Sequence, residues 1–131
     1  MPLSNYSKQG TINFWFRNQS VTQPSSVYVA LYSTDPTGAN TGTEISGGGY
    51  ARQPAVFGAP TISGNQAIAQ NTAVINFPQL TAAVGTAAYI ALLDAASSGN
   101  LIAYAALPTS LQLNAGFQPY IAVGDLRVLA T

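Results

Sequence analysis

Ser26-Val27-Tyr28-Val29-Ala30-Leu31-Tyr32-Ser33 alternates between two faces, with Val27, Val29 and Leu31 on one and Tyr28, Ala30 and Tyr32 on the other. A period of two built from β-branched and aromatic residues is a strand pattern, and apolar side chains on both faces mean that both are covered. Asp35-Pro36-Thr37-Gly38 then reads as a turn. The stretch from Asp35 to Gly49 holds five of the chain's twelve glycines and is the longest loop. Tyr50 to Phe57 reads as a second strand, in which Pro54 has no N–H for a ladder and so belongs at a sheet edge or a bulge. Short runs follow at regular intervals: Thr61 with Ile62, Gln66 to Ala69, Ala73 to Phe77, Thr86 to Leu93, Leu101 to Ala106, Ser110 to Leu113, Pro119 to Val123 and Leu126 to Leu129. Gly, Asn and Ser punctuate them, so the expected fold is all-β, a mainly antiparallel β-sandwich or jelly-roll-like form. Thr81-Ala82-Ala83 lies too close to Pro78 and Gly85 for more than a turn.

The first eighteen residues have a different texture. Ser4 or Asn5 suits a helix N-cap, and Ile12, Trp15 and Phe16 share a helical face by i, i+3, i+4 spacing. A short amphipathic helix is expected there, ending between Asn18 and Pro24, with Gly10 inside it at a cost of up to ~1 kcal/mol relative to Ala. Phe14, Trp15 and Phe16 in succession cannot all face inward, which makes residues 1–20 a docking segment beside a β-sandwich over 26–131. No heptad, solenoid period or low-complexity linker divides the chain, so one domain is expected over 1–131.

Only 6% of the 131 residues are charged, against roughly 25% in an ordinary soluble domain. Four basic residues (Lys8, Arg17, Arg52, Arg127) balance four acidic ones (Asp35, Glu44, Asp94, Asp125). No basic field steers a polyanion, so nucleic acid is not an expected partner. Nor is a membrane, since the longest apolar runs fall far short of the ~20 residues that span a bilayer. The opening residues lack a charged start, an apolar core and a small-residue cleavage site, the pattern of a chain made and kept in a cytoplasm. Hydration falls to 41 Ser, Thr, Asn and Gln residues. Near-zero net charge favours association, so a subunit packed in an assembly is the expected state.

The chain has no Cys and no His, which removes the thiolate nucleophile, the commonest general base and the commonest metal ligand. Asp94 and Asp125 would form a glycosidase pair only if they faced each other across a cleft; each also suits a turn, accepting local backbone N–H bonds. Asp35 and Glu44 share a loop without the oxygen density of a calcium site, and no cofactor or metal is expected. Gly47-Gly48-Gly49-Tyr50 is not followed by Lys-Ser/Thr or by a helix, so a phosphate cradle does not fit; positive φ or close backbone approach at the loop base does. Glu44 and Arg52 flank that block and are placed to pair across it. The aromatics, 10% of the chain, fit core packing, a protein interface or a sugar platform. Candidate interface residues are therefore Phe14, Trp15, Phe16 and Arg17 on the helix, and Glu44, Gly47, Gly48, Gly49, Tyr50 and Arg52 around the loop base, with Lys8 and Arg17 meeting acidic patches on a partner.

Leu3-Ser4-Asn5-Tyr6, the run Val27 to Thr37, the block Gly42-Thr43-Glu44-Ile45-Ser46-Gly47-Gly48-Gly49-Tyr50-Ala51-Arg52-Gln53, Asn71 to Pro78, Leu93 to Leu107 and Gly124-Asp125-Leu126 occur in an order that resembles a family of small tailed-phage virion proteins commonly labelled "phage tail fiber protein". Relatives often carry a Trp before the Gly85-Thr86 pair, where this chain has Val84. The resemblance implies a non-enzymatic virion structural protein, made in the bacterial host cytoplasm and partnered by other virion proteins, either the major capsid protein or tail and baseplate proteins. It also implies a homo-oligomer, of which a trimer is the common form. Because the chain offers a compact domain and no long shaft, the first expectation is a capsid-decorating cement protein on the head surface. The alternatives are a tail-fibre, baseplate or tail-tip component that meets the host, and a carbohydrate-binding module.

Overall fold

A computed structural model describes residues 1–130. One helix, α1 (Asn5–Phe16), precedes nine strands: β1 (Val27–Tyr32), β2 (Gln53–Ala55), β3 (Thr61–Ser63), β4 (Gln66–Gln70), β5 (Ile75–Asn76), β6 (Gly85–Leu93), β7 (Leu101–Leu113), β8 (Tyr120–Ile121) and β9 (Arg127–Ala130). The pairings are antiparallel and form a four-stranded sheet β2-β1-β6-β7, a three-stranded sheet β3-β4-β9 and the pair β5-β8. The fold is all-β with a short N-terminal helix.

β1 lies inside the largest sheet, and its alternation sorts its side chains as the pattern required. Val29 and Leu31 enter the main core with Leu113 of β7 and with Ile75, Phe77, Leu80 and Leu126, which the smaller sheets and their loops supply. Ala30 and Tyr32 join Ala91, Leu93 and Leu101 in a second cluster. β2 is shorter than Tyr50 to Phe57 and occupies the sheet edge, with Pro54 opposite Tyr28. An edge tolerates a residue with no N–H.

β5 and β8 are likewise shorter than the expected Ala73 to Phe77 and Pro119 to Val123, and two expected strands merge. Leu101 to Ala106 and Ser110 to Leu113 are a single strand, β7, because the register jumps from Ala87↔Leu111 to Tyr89↔Ala106. The segment Leu107–Ser110 is looped out of the ladder, and Pro108, which reads in sequence as a break, sits within it. A bulge on an edge strand accommodates the missing donor without ending the strand. A smaller irregularity between Leu92 and Leu93 leaves Ile102 unpaired on the β7 side.

Asn71, 1% exposed, holds the smaller sheets together. Its Nδ2 donates to the Ala73 and Ala122 carbonyls at 2.9 and 3.0 Å, and its Oδ1 accepts from Leu126 N at 3.0 Å. Its backbone also bonds Leu126 and Gly124. One amide thus closes the β8–β9 turn onto the start of β5. Removing it strands buried donors and acceptors at ~1–3 kcal/mol each. Asn71→Ala is therefore expected to lower unfolding free energy by ~2–4 kcal/mol, read as a reduced urea midpoint at unchanged slope; a loss within measurement error would refute the assignment.

Candidate functional site

Two constellations hold the residues singled out in the sequence. The first is the loop base. Thr43–Ile45 runs beside the second half of β1, with Ser33 N donating to Thr43 O and Ile45 N to Leu31 O, both at 2.9 Å. Glu44 stands opposite Tyr32. Arg52 meets Glu44 in a two-pronged pair, Nε to Oε2 at 2.8 Å and Nη2 to Oε1 at 2.7 Å. Its Nη1 donates to the carbonyls of Ala95 and Ser98, both at 2.8 Å. Those carbonyls belong to the β6–β7 turn, where Asp94 accepts from Asn100 N and Nδ2. The Tyr50 hydroxyl donates to Glu44 Oε2 at 3.0 Å and accepts from Leu31 N at 2.9 Å, a β1 donor beyond the reach of β2. The Tyr50 ring stacks on Phe77 at 6.1 Å.

Gly47, Gly48 and Gly49 all take positive φ, 87°, 59° and 80°. A Cβ on Gly48 would lie 2.8 Å from Val84 Cγ1 and 2.9 Å from Ala82 O. Both demands read from the sequence, left-handed backbone and close approach, fall on this block, and Thr81 N donates to Gly48 O at 2.9 Å. The side chains of Glu44, Tyr50 and Arg52 are thus engaged with one another and with local backbone.

Burial, reinforced by the Glu44 carboxylate, holds the Tyr50 hydroxyl far above the ordinary tyrosine range. Burial likewise raises Tyr32, whose hydroxyl also bonds Asn40 Oδ1. The hydrogen bonds to Glu44 raise Arg52 further still. The pair serves as a fixed structural bond.

The second constellation is α1. Ser4, fully buried, caps it by accepting from Ser7 N at 3.1 Å. Ser4 Oγ also donates to Leu101 O, while Ser4 N and Ser7 Oγ donate to the carbonyl of the unpaired Ile102 at 2.9 and 2.7 Å. Asn5 N reaches Gly38 O at 2.9 Å. Polar bonds therefore clamp the first turn to β7 and the long loop. The helix ends at Phe16 with Arg17 as its C-cap, short of the expected Asn18 to Pro24; Asn18 follows in left-handed conformation, φ 52°, and the returning chain brings Val21 alongside Gly10.

Nothing clamps the far end, and here the structure corrects the expected direction of the apolar stripe. Ile12, Trp15 and Phe16 do share a face, but they are 52%, 72% and 77% exposed. No residue of α1 is buried. The side turned to the body carries Ser7, Gly10 and Phe14, which with Val21, Val27 and Ile102 line a groove of about 500 Å³; Trp15, at the margin of the stripe, borders that groove and a second hollow beside Leu3 and Leu129. Phe14 stays half exposed, edge-on to Trp15 at 5.2 Å. Arg17 bonds Asn13 Oδ1 within the helix at 2.9 Å. The stripe faces outward because the anchoring groups, Ser4 and Ser7, lie on the opposite side of the first turn.

Asp94 and Asp125 line different depressions, so the geometry of a glycosidase pair does not arise. Among the described residues no three His, Cys, Asp or Glu side chains gather as metal ligands, and no helix is long and apolar enough to cross a membrane. Of the tyrosines on strands, Tyr120 is the outlier at 67% exposed, beside Asp125 and Arg127. Ser4, Ser7 and Asn71 carried no sequence signal beyond the Ser4 cap, because their partners are backbone groups distant along the chain.

These features define an all-β domain with an N-terminal helix that presents apolar surface. Residues 2–129 match the family described as podophage GP4 fiber I protein gp80, and the chain belongs to that family of phage fiber proteins. A search of curated proteins found no match.

The Arg52 side chain is 8% and the Glu44 side chain 24% exposed, a setting in which deleting one partner leaves an uncompensated charge. Arg52→Ala is expected to cost ~2–4 kcal/mol, and Arg52→Lys to recover only part, since an ammonium cannot serve a carboxylate and two carbonyls in one plane. Equilibrium denaturation checks both. The raised hydroxyls of Tyr50 and Tyr32 contribute stability that is complete below about pH 10, the unfolded value, and is lost as pH rises beyond it. Stability should accordingly fall above about pH 10, and Tyr50→Phe should flatten that fall in part, Tyr32 retaining the rest. An unchanged alkaline slope in Tyr50→Phe would contradict this.

Proposed function

We propose that this chain is a non-enzymatic structural subunit of a tailed-phage fibre, held in the particle by contacts between its own surface and neighbouring virion proteins. The observation that carries this reading is α1, whose apolar stripe is exposed on a body that otherwise satisfies its polar groups internally. A chain of this mass folded compactly exposes roughly 6,500 Å², whereas this one exposes 7574 Å². The excess fits a subunit with a projecting element to bury elsewhere.

The same reading treats residues 1–131 as one domain, with 1–20 as the docking segment, assembled as a homo-oligomer such as a trimer. The fibre description of the family supports a tail position over the capsid-decorating role that the lack of a shaft first suggested. A saccharide-binding role has the exposed Tyr120, flanked by Asp125 and Arg127, in its favour, since an aromatic face beside hydrogen-bonding groups suits a sugar ring.

Immunogold electron microscopy of intact particles, with an antibody against this chain, tests the placement. Gold confined to the tail and its appendages is expected. Gold spread over the heads would overturn the fibre reading and restore the capsid-decorating one.

A further inference from the structure

We infer that the outward face of α1 is a helix-in-groove ligand for another virion protein, one that presents an apolar groove with carboxylates at its ends. This rests on the reading of the chain as a virion subunit and names the partner's chemistry. Ile12, Trp15 and Phe16 follow the i, i+3, i+4 spacing by which a helix inserts anchors into a groove. All three are more than half exposed. Lys8 lies one turn before Ile12 on the stripe itself, and Arg17, turned about 100° from Phe16 toward Asn13, flanks the stripe at its far end. Lys8, Ile12, Asn13 and Arg17 border a single shallow depression on this side of the helix.

Charge selects the occupant. Between Asn5 and Arg17 there are two cations and no acid. A second copy's helix laid on this stripe would bring like charges together and supply no counter-charge. An apolar groove alone would leave both cations facing uncharged surface. A groove that ends in Asp or Glu satisfies anchors and cations together, with the ion pairs setting register and the aromatic rings carrying affinity. A lipid surface fits less well, because Gln9 and Asn13 border the stripe and two cations fall short of the polybasic, wide-faced helices that lie in membranes. The mounting is suited to insertion: the first turn is fixed by Ser4 and Ser7, and the remaining two turns project with their apolar side free.

The test uses the phage that encodes the chain, carrying either Trp15→Ala with Phe16→Ala or Lys8→Glu with Arg17→Glu. Copies per purified particle are counted by quantitative mass spectrometry after low-salt and high-salt washes. All four positions are exposed, so thermal melts of the purified full-length variants should match the parent, and Trp15→Gln alone serves as a milder second variant. Loss of the aromatic anchors should cut retention ~10-fold or more, the scale of a central hot spot. Charge reversal should cut it several-fold and invert the sensitivity of retention to salt, since high salt screens the repulsion the two new carboxylates introduce. Full retention of the aromatic variant would overturn the inference while gold on the tail left the fibre reading intact. Gold on the heads, with retention still dependent on Trp15, would do the reverse. Two further results would also overturn it: an oligomer of the purified chain that dissociates in the aromatic variant, which would make a second copy the occupant, or Trp15-dependent binding to phosphatidylcholine–phosphatidylglycerol vesicles, which would make it a membrane.

Discussion

The guanidinium of Arg52 ties together three segments that have little regular structure of their own. One prong pair grips Glu44 and thereby the strand-like return of the long loop; the remaining nitrogen grips the Ala95 and Ser98 carbonyls of the β6–β7 turn. Only a planar, permanently charged fork serves a carboxylate and two carbonyls from one stem. Its consequence reaches the sheet, because Glu44 is also where the Tyr50 hydroxyl lands, and that hydroxyl caps Leu31 N–H where β2 has already ended. β1 is thus bordered on one side by β2, a tyrosine hydroxyl and Thr43–Ile45 in turn. The three positive-φ glycines make that sequence of partners geometrically feasible by turning the chain back tightly between Glu44 and Arg52.

How much of this was legible follows from the range of each signal. Alternation along Val27–Tyr32 is local and strong, and it reported both the strand and the burial of both its faces. Pro54 reported an edge because a missing donor has a direct consequence for a ladder. Glu44 and Arg52 lie eight residues apart across a turn-rich block in a chain with few other charges, so their pairing could be read from proximity. Pro108 misled because the same missing donor is satisfied in either of two ways, by ending a strand or by looping out of one, and the choice depends on the facing residues of β6. Asn71 was silent for a related reason: its partners Ala122 and Leu126 are backbone groups some fifty residues away, and an Asn between short strands looks like any turn residue.

The helix shows a different limit. Periodicity states that Ile12, Trp15 and Phe16 belong on one face, and hydrophobicity states that the face gains by burial, but neither states against what. That direction is decided by the first turn, where the buried Ser4 and the unpaired carbonyl of Ile102 fix the helix's rotation about its axis. With Ser7 and Gly10 turned inward, Ile12 and Phe16 lie on the far side of the helix and Trp15 at its margin, where they meet solvent or a partner. The outer edge of β7 and the outward stripe are in this sense linked: residues before the helix bridge β7 at Leu3↔Ala103, with Ser4 N bonding Ile102 O and Tyr104 N bonding Pro2 O, and that bridge sets the orientation in which the helix starts.

Scarcity of charge and exposure of the stripe fit the same working condition. In the proposed assembly, copies held at close quarters would gain from carrying no net field, because like-charged neighbours repel across every contact. Uncharged Ser, Thr, Asn and Gln then hydrate the body without long-range consequence, and Glu44 and Arg52 cancel within it. Recognition that cannot rely on a broad electrostatic field must come from shape and from a few local charges. On the proposed docking role, concentrating three large apolar side chains and two cations on one short helix would place that recognition at one end of the chain, mechanically separate from the clasp that keeps the sheets in register.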